Sequence, residues 1–529
     1  MGHKTTEQVT AIFIFLFLYI ILCLSLSWVF PKAGVEASKA WIPGINFVEW
    51  CKIIGRKPSH ALWLLFPIVN IFIFTGMCID LVRSFGMMRF WHSTLAVILP
   101  PVIFYMIGKN DSIKYIEPGY TAEKNYHNQL HDAIKAKDEN RINKLKSTSA
   151  YAKNSMREWL ESIIFAVFAA AFIRMFLIEA FVIPTSSMEG SLKVGDFLFV
   201  SKAHYGIRMP MTVAMVPLLH NTIPILGTES YLSKPSLPYK RLPALSPIKR
   251  NDPFVFNWPA GDSVYVTPKR SWAAFQVQQQ PEARREVAGQ KLVVRPLDKK
   301  DHYIKRCVAM PGDSLQIIDN QVFINGVASA NPRHLQFVYF VKSPFPLPLK
   351  KLDEWGVSLK ESDPNRGIYA LDEDQVGRIK AIDPQIQVER YQPLDHQLFP
   401  YDTAHFNNWT IANYGPIWMP QKGVTIPINL SNIALYTRVI GTYEGNKLEI
   451  KNGQIFINDQ VADSYTFKQS YYWAMGDNRH NSEDSRYWGF VPEDHIVGKP
   501  ILIWFSLKNA TLRDGINWNR IFRSPNKVD

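Results

Sequence analysis

Between Trp159 and Lys202 three kinds of sequence follow one another without a spacer, and their junction dictates how this chain can fold. An apolar run from Ile163 to Ile178 is broken only by Arg174. It leads into Glu179-Ala-Phe-Val-Ile-Pro184-Thr185-Ser186-Ser187-Met188-Glu189-Gly190-Ser191-Leu192, and then into Lys193-Val-Gly195-Asp196-Phe-Leu-Phe-Val-Ser-Lys202. A helix rises about 1.5 Å per residue and needs about 20 apolar residues to cross a bilayer, a length that Trp159 to Ile178 meets. A membrane helix thus delivers a serine cluster to the bilayer surface, and a strand departs from it.

Three more apolar segments precede this one. Ala11 to Phe30 holds twenty residues without a charge. It is too long for the core of a secretory leader, no small-residue cleavage site follows it cleanly, and it reads as a transmembrane helix. Ala61 to Val82 is a second expected span, with Asp80 near one end. Trp91 to Ile107 is a third, which Pro100-Pro101 should kink. Between the third and fourth spans, Lys109 to Arg157 carries ten Lys/Arg against six Asp/Glu. Basic residues accumulate on the cytoplasmic side, so this loop and the Lys/Arg-bearing Pro31 to His60 are expected in the cytosol. The fourth span then runs outward, Arg174 extends its head group to the interface, and the large remainder faces out. The net charge of +13 is spread along the chain beside apolar segments, which points to a membrane surface rather than nucleic acid.

After Lys202 the pattern changes. Short alternating runs between Gly, Pro, Asn and Asp predict strands at Phe197–Val200, Ser263–Val266, Tyr303–Val308, Ser314–Ile318, Gln321–Ile324, Leu448–Ile450 and Gln454–Ile457. The fold class is therefore an N-terminal α-helical transmembrane region of about four spans followed by a mostly-β domain. Expected boundaries are 1–108 for the first three spans, 109–157 for the basic loop, 158–180 for the last span, 181–508 for the β-rich domain and 509–529 for a tail. Two Pro-rich or aromatic-rich blocks, about 210–294 and 331–438, read as insertions. Gly312 to Gly326 echoes Gly445 to Asp459, each reading as strand, Asn-containing turn and strand, so paired hairpins should flank the second insertion. The four cysteines lack metal or redox spacing, and Cys307 reads as a small buried hydrophobe.

Three stretches carry candidate chemistry. Ser187 follows a proline in a turn, and a serine hydroxyl is a weak nucleophile until a base takes its proton. No Gly-x-Ser-x-Gly elbow is present, and the histidines of the β region are scattered. In Tyr303-Ile304-Lys305-Arg306-Cys307-Val308 the alternation gives neither face of the strand a purely apolar character, so one cation is expected to point inward. A lysine titrates near 10.4 in water, and burial lowers that by up to about 3–5 units, making it a competent general base near neutrality. The polar run Met475 to Gly489 contains Ser482, placed to hydrogen-bond the lysine, and Asp484 with Arg486, placed to pair. Most single lysines and turn serines are solvated surface residues, so none of these signals is specific alone.

In this order they are specific. Ile183-Pro184-Thr185-Ser186-Ser187-Met188, Gly195-Asp196, Tyr303-Ile-Lys305-Arg306 with Pro311-Gly312-Asp313, and Gly476-Asp-Asn-Arg-His480-Asn-Ser482-Glu-Asp484-Ser-Arg486-Tyr-Trp-Gly489 resemble the successive boxes of bacterial type I signal peptidases. The resemblance covers roughly Trp159 to Lys508 without the insertions. It implies Ser187 as nucleophile and Lys305 as general base. It also implies an oxyanion hole from the Ser187 N–H and the Thr185 hydroxyl, Ser482 orienting the lysine, and Asp484 and Arg486 as supports. It implies preprotein signal peptides as substrates, the bilayer as partner, the bacterial cytoplasmic membrane as location with the catalytic domain outside, and no metal or organic cofactor. Glu189-Gly190-Ser191 replaces the more usual Pro-Thr, and His480 stands where Asp is common. The three extra spans go beyond what the chemistry requires, and docking to a translocation channel is one expectation for them. Two rival readings are a non-catalytic secretion scaffold that keeps the fold, and a Ser–Lys autoprotease that cuts only itself.

Overall fold

A computed structural model of the chain describes residues 2–65, 69–153, 155–212, 214–224, 226, 228–261, 263–267, 270–393, 395 and 397–525. The chain divides into two compact units, Met1–Ile164 and Phe165–Asp529.

The first unit is helical. Helix Gly2–Val29 is followed by helices Ile45–Ile54, Val69–Ser84, Phe90–Ile98, Pro100–Lys109, Gly119–Lys135 and Glu139–Thr148. They close over a core that includes Leu26, Trp50, Leu81, Phe104 and Ile107. The edge of the Trp50 ring meets Phe74 at 5.7 Å and Phe104 at 5.4 Å, a geometry aromatic pairs favour. Among the described residues, two of the four expected spans have a helix long and apolar enough to cross a membrane, with windows Leu16–Ala33 and Glu158–Phe176; the third qualifies only if a bent pair counts as one span. That pair, Phe90–Ile98 and Pro100–Lys109, turns by 118° rather than showing the gentle kink expected. Leu99 leaves the helical region (φ −137°, ψ 64°), because Pro100 disfavours helix at the preceding residue and Pro100-Pro101 remove two N–H donors. The second expected span opens as a 3-10 segment, Pro58–Leu65, and its helix Val69–Ser84 is 16 residues long; residues 66–68 lie outside those described.

The two basic stretches expected on one side of the membrane touch each other. Lys32 donates to the carbonyl of Asn110 (2.6 Å) and the Tyr115 hydroxyl to that of Ile53 (2.8 Å). Arg56 pairs with Asp80 at 2.7 Å, and Arg83 with Glu123 at 2.6 Å.

The second unit is mostly β. Helix Ser155–Phe176 runs into strand Ile178–Val182 at once. Arg174, expected to reach for the interface, instead pairs with Glu179 at 2.9 Å, and Lys202 binds the same carboxylate at 2.8 Å, so the helix-to-strand junction is tied by ion pairs. The main sheet has seven antiparallel strands in the order Ile178–Val182, Asp196–Ser201, Ile496–Ser506, Pro253–Asn257, His302–Ala309, Tyr471–Met475, Val491–Pro492. Sequence-distant segments therefore meet in register, with Phe254 opposite Lys305 and Arg306 opposite Met475. One sheet face packs Phe254, Phe256, Trp258, Cys307 and Trp488; another core gathers Val308, Leu315, Tyr414, Trp473 and Phe490.

The two echoing segments are hairpins. Ser314–Ile318 pairs with Gln321–Ile324, and Leu448–Lys451 with Gln454–Ile457. Their turns, Asp319-Asn320 (φ 47°, 67°) and Asn452-Gly453 (φ 49°, 75°), have both central residues left-handed, the backbone that matches strand twist and that Asn, Asp and Gly tolerate. Each continues into a short third strand, Val327–Ala328 and Gln460–Val461. The second insertion has its own core, with strands Phe337–Lys342, Ile368–Leu371 and Gln387–Arg390 packed by Leu352, Leu371 and Ile379. The first contains the three-stranded sheet of Ser263–Val266, Ser271–Ala273 and Leu292–Val294 with helices Ala274–Gln279 and Pro281–Glu286. Residues 509–525, expected as a tail, fold back: Phe522 N–H donates to Ile503, and Arg520 reaches Asp196.

Candidate active site

Ser187 sits in a single 3-10 turn, Ser186–Met188, which Thr185 enters in extended backbone (φ −128°, ψ 156°). The turn is held at both ends: Glu189 N–H donates to the Ser186 carbonyl (2.8 Å) and Asn478 N–H to that of Ser187 (3.1 Å). Met188 is buried with Ile183, Leu192 and Val200, so an apolar anchor beneath the turn leaves the Ser187 hydroxyl above it.

Lys305 lies on the strand His302–Ala309 and is 5% exposed. Its Nζ is 2.5 Å from Ser187 Oγ and 5.7 Å from the centre of the Tyr303 ring. One cation of this strand was expected to turn inward; both Lys305 and Arg306 are buried, on opposite faces. Burial pushes the Lys305 ammonium down to about 8, and Arg486 pushes the same way; Asp484, Glu483 and Asp477 oppose. A substantial share of this amine is therefore neutral near physiological pH, beside a hydroxyl whose proton it can accept.

The polar run after Met475 wraps around this pair. Gly476 leaves no room for a side chain: a Cβ there would stand 2.2 Å from Ser482 Oγ and 2.4 Å from the Ser187 carbonyl oxygen. Ser482 packs against Gly476, and its buried hydroxyl lies beside the Asp484 carboxylate. It neighbours the dyad without bonding to the lysine, unlike the sequence expectation. Asp484 and Arg486 do pair, through contacts of 2.9 and 2.8 Å in a fully buried setting. Asp484 also accepts the Gly476 N–H (3.1 Å), and Arg486 donates to the Arg479 carbonyl (2.6 Å). The guanidinium holds the Asp484 carboxyl below its usual range against the opposing effect of burial. Thr185 is exposed at the lip of the turn, beside Ser187.

Sequence reading missed two buried ion pairs. Arg306 grips Asp477 through contacts of 2.7 and 2.5 Å and donates to Ser191 Oγ at 2.9 Å, tying lysine strand, polar run and serine turn together. Arg520 binds Asp196 (2.6 Å) and the Ser191 carbonyl (2.8 Å), while Ser506 Oγ donates to the same Asp196 (2.7 Å). Inward alternation on the 302–309 strand was a signal for Arg306; nothing local marks Arg520.

The departures from the family pattern are where the second insertion docks. Gly190 (φ +103°) abuts the His334 carbonyl, which a Cβ there would approach to 2.1 Å. His480 Nδ1 accepts the Val338 N–H at 3.2 Å, and burial with Arg486, Arg390 and Arg479 nearby pushes its imidazole down to about 3, so it stays neutral as an acceptor. Gln336 exchanges backbone hydrogen bonds with Asp477 and Arg479 (2.9 Å each). Asn481 donates to Ser186 Oγ (3.0 Å) and to Glu361 of the same insertion.

Comparison with known proteins finds likeness to signal peptidases. The family described as signal peptidase, peptidase S26, matches residues 156–339 and 461–505, leaving out most of the second insertion. Residues 38–118 match a family of unknown function, DUF5684. Signal peptidase I of Helicobacter pylori is 24% identical over 377 residues, covering 69% of this chain and 90% of that protein. Signal peptidase I of Haemophilus influenzae is 25% identical over 395 residues (73% and 80%), and that of Pseudomonas aeruginosa 22% over 375 (69% and 78%). Over these segments the chain is similar to the type I signal peptidases of the S26 family, a likeness that supports a serine endopeptidase, and it carries an additional N-terminal helical region.

Proposed function

We propose that the protein removes signal peptides from exported preproteins with a Ser187–Lys305 dyad. The carrying observation is the buried amine 2.5 Å from the serine hydroxyl. In this reading neutral Lys305 takes the Ser187 proton as Oγ bonds to the scissile carbonyl carbon. The resulting ammonium returns that proton to the leaving nitrogen as the C–N bond breaks. Water then attacks the ester, with Lys305 again as base, and Ser187 is released. The Ser187 N–H and the Thr185 hydroxyl hold the oxyanion, Ser482 lines the lysine's side of the cleft, and Asp484 with Arg486 fixes the loop that carries it.

The strand Ile178–Val182 supports a mode of substrate entry. It ends the main sheet with a single partner and leads directly to Ser187, so an extended preprotein segment can add to its free edge. Small residues before the cut are the expected substrate preference. We also propose a multi-pass protein of the bacterial cytoplasmic membrane, with the β unit outside. The contact between the basic stretches 31–60 and 109–157 supports this, since both then lie on the cytosolic side. The first unit is the candidate contact for the translocation machinery.

The test is cleavage of an added preprotein by detergent-purified protein. Ser187→Ala and Lys305→Met should each lower the rate by about 10⁴-fold or more. Full activity in either variant rejects the dyad, and self-cleavage without turnover of added preprotein reassigns it to an autoprotease.

A further inference from the structure

Every carboxylate that faces Lys305 has a guanidinium of its own. Asp484 is paired with Arg486 and Asp477 with Arg306. Glu483, the residue after Ser482, is held by two side chains of its own. Arg270 Nη2 contacts Glu483 Oε2 at 2.6 Å, and Gln276 Nε2 donates to its Oε1 at 2.6 Å. Both belong to the first insertion, and both are braced. The Arg270 guanidinium lies 3.9 Å from the centre of the Trp272 ring, and its backbone N–H donates to Thr267 Oγ1 (3.2 Å). Gln276 Oε1 accepts the Ala273 N–H (3.2 Å) at the start of helix Ala274–Gln279. A pocket of about 280 Å³ opens beside this clamp, lined by Arg270, Trp272, His480, Ser482 and Glu483 among others.

We propose that Arg270 is a positioning residue for the peptidase reaction: it fixes and neutralises Glu483, so that Lys305 can shed its proton. The inference rests on the reading of Lys305 as base. Without Arg270 the balance around the amine gains one unpaired negative charge, which favours the ammonium. The groups facing Lys305 are Asp477, Glu483, Asp484 and Arg486 from the 475–489 run and Tyr303 from its own strand. Those facing Glu483 are Arg270 and Gln276 from the first insertion, Tyr303, and Tyr401 from the second, with Arg438 beside Tyr401. Because the Arg270 and Glu483 side chains are 35% and 28% exposed, the effect is partly screened by solvent.

The experiment is the pH dependence of kcat/KM for preprotein cleavage by the full chain in detergent. Arg270→Gln should move the acidic limb upward by about half to one pH unit, a roughly three- to tenfold loss at pH 7 that vanishes once the amine is neutral in both proteins. Glu483→Gln should move the limb downward, the double variant should follow Glu483→Gln, and Arg270→Lys should keep the native limb. Raising salt to about 0.5 M should shrink the Arg270→Gln shift. A loss of equal size at every pH, or a Glu483→Gln limb that stays in place, overturns the inference; the Glu483→Gln limb decides the matter even where Arg270→Gln folds poorly. If Lys305→Met retains activity, the dyad itself has failed, an outcome separable from an unmoved limb in a lysine-dependent enzyme.

Discussion

At the level of single residues the proposed dyad makes the amine of Lys305 the group that sets the pH behaviour. Burial pushes its ammonium down to about 8, so in this reading kcat/KM should fall about tenfold per pH unit below that point and level off above it; stopped assays across buffers read the limb. Thr185→Val should cost about 2.7–4 kcal/mol of transition-state stabilisation, seen in kcat more than KM. Gly476→Ala should disable the enzyme through crowding, because its methyl group has only the Ser482 side chain and the Ser187 carbonyl to displace. The sequence displayed Ser187, Lys305, Ser482, Asp484 and Arg486, since each stands in a short box of distinctive composition. It did not reveal the steric demand at Gly476, which exists because the Ser482 side chain and the Ser187 carbonyl, far apart in the chain, both close on it.

At the level of elements, strand-forming runs were legible wherever a turn residue announced the reversal. Asp319-Asn320 and Asn452-Gly453 sit where both hairpins turn. The helical breaks were less legible: hydropathy reports how apolar Trp91 to Ile107 is, not that Leu99 lets the chain double back. The cross-links between elements were not legible at all, because complementary charges recognise each other by position in space. Asp477→Ala illustrates their weight. It strands the buried Arg306 guanidinium and should destabilise the β unit by about 3–5 kcal/mol, measurable as a lowered denaturation midpoint. Arg520→Ala should act in the same direction through Asp196, although it lies outside every family box.

For the molecule as a whole, the composition and the four apolar runs announced a membrane protein with a β domain, while the purpose of the insertions could not be read. The structure shows both meeting the 475–489 run, the first at Glu483 and the second at Asp477, Arg479, His480 and Asn481. The orientation proposed above has a direct check. Cysteines introduced at the exposed positions Lys144→Cys and Val327→Cys should divide in whole cells: a membrane-impermeant thiol reagent should label the second at once and the first only after permeabilisation. The four native cysteines are buried and should stay silent. The clamp of Arg520 on Asp196 spans 324 residues, and Lys305 stands 118 residues from Ser187. Contacts so remote in sequence form late. Under the proposed dyad, a nascent chain still emerging from the ribosome should therefore have no completed scissors, and cutting power should arrive only when synthesis has passed the last of these partners.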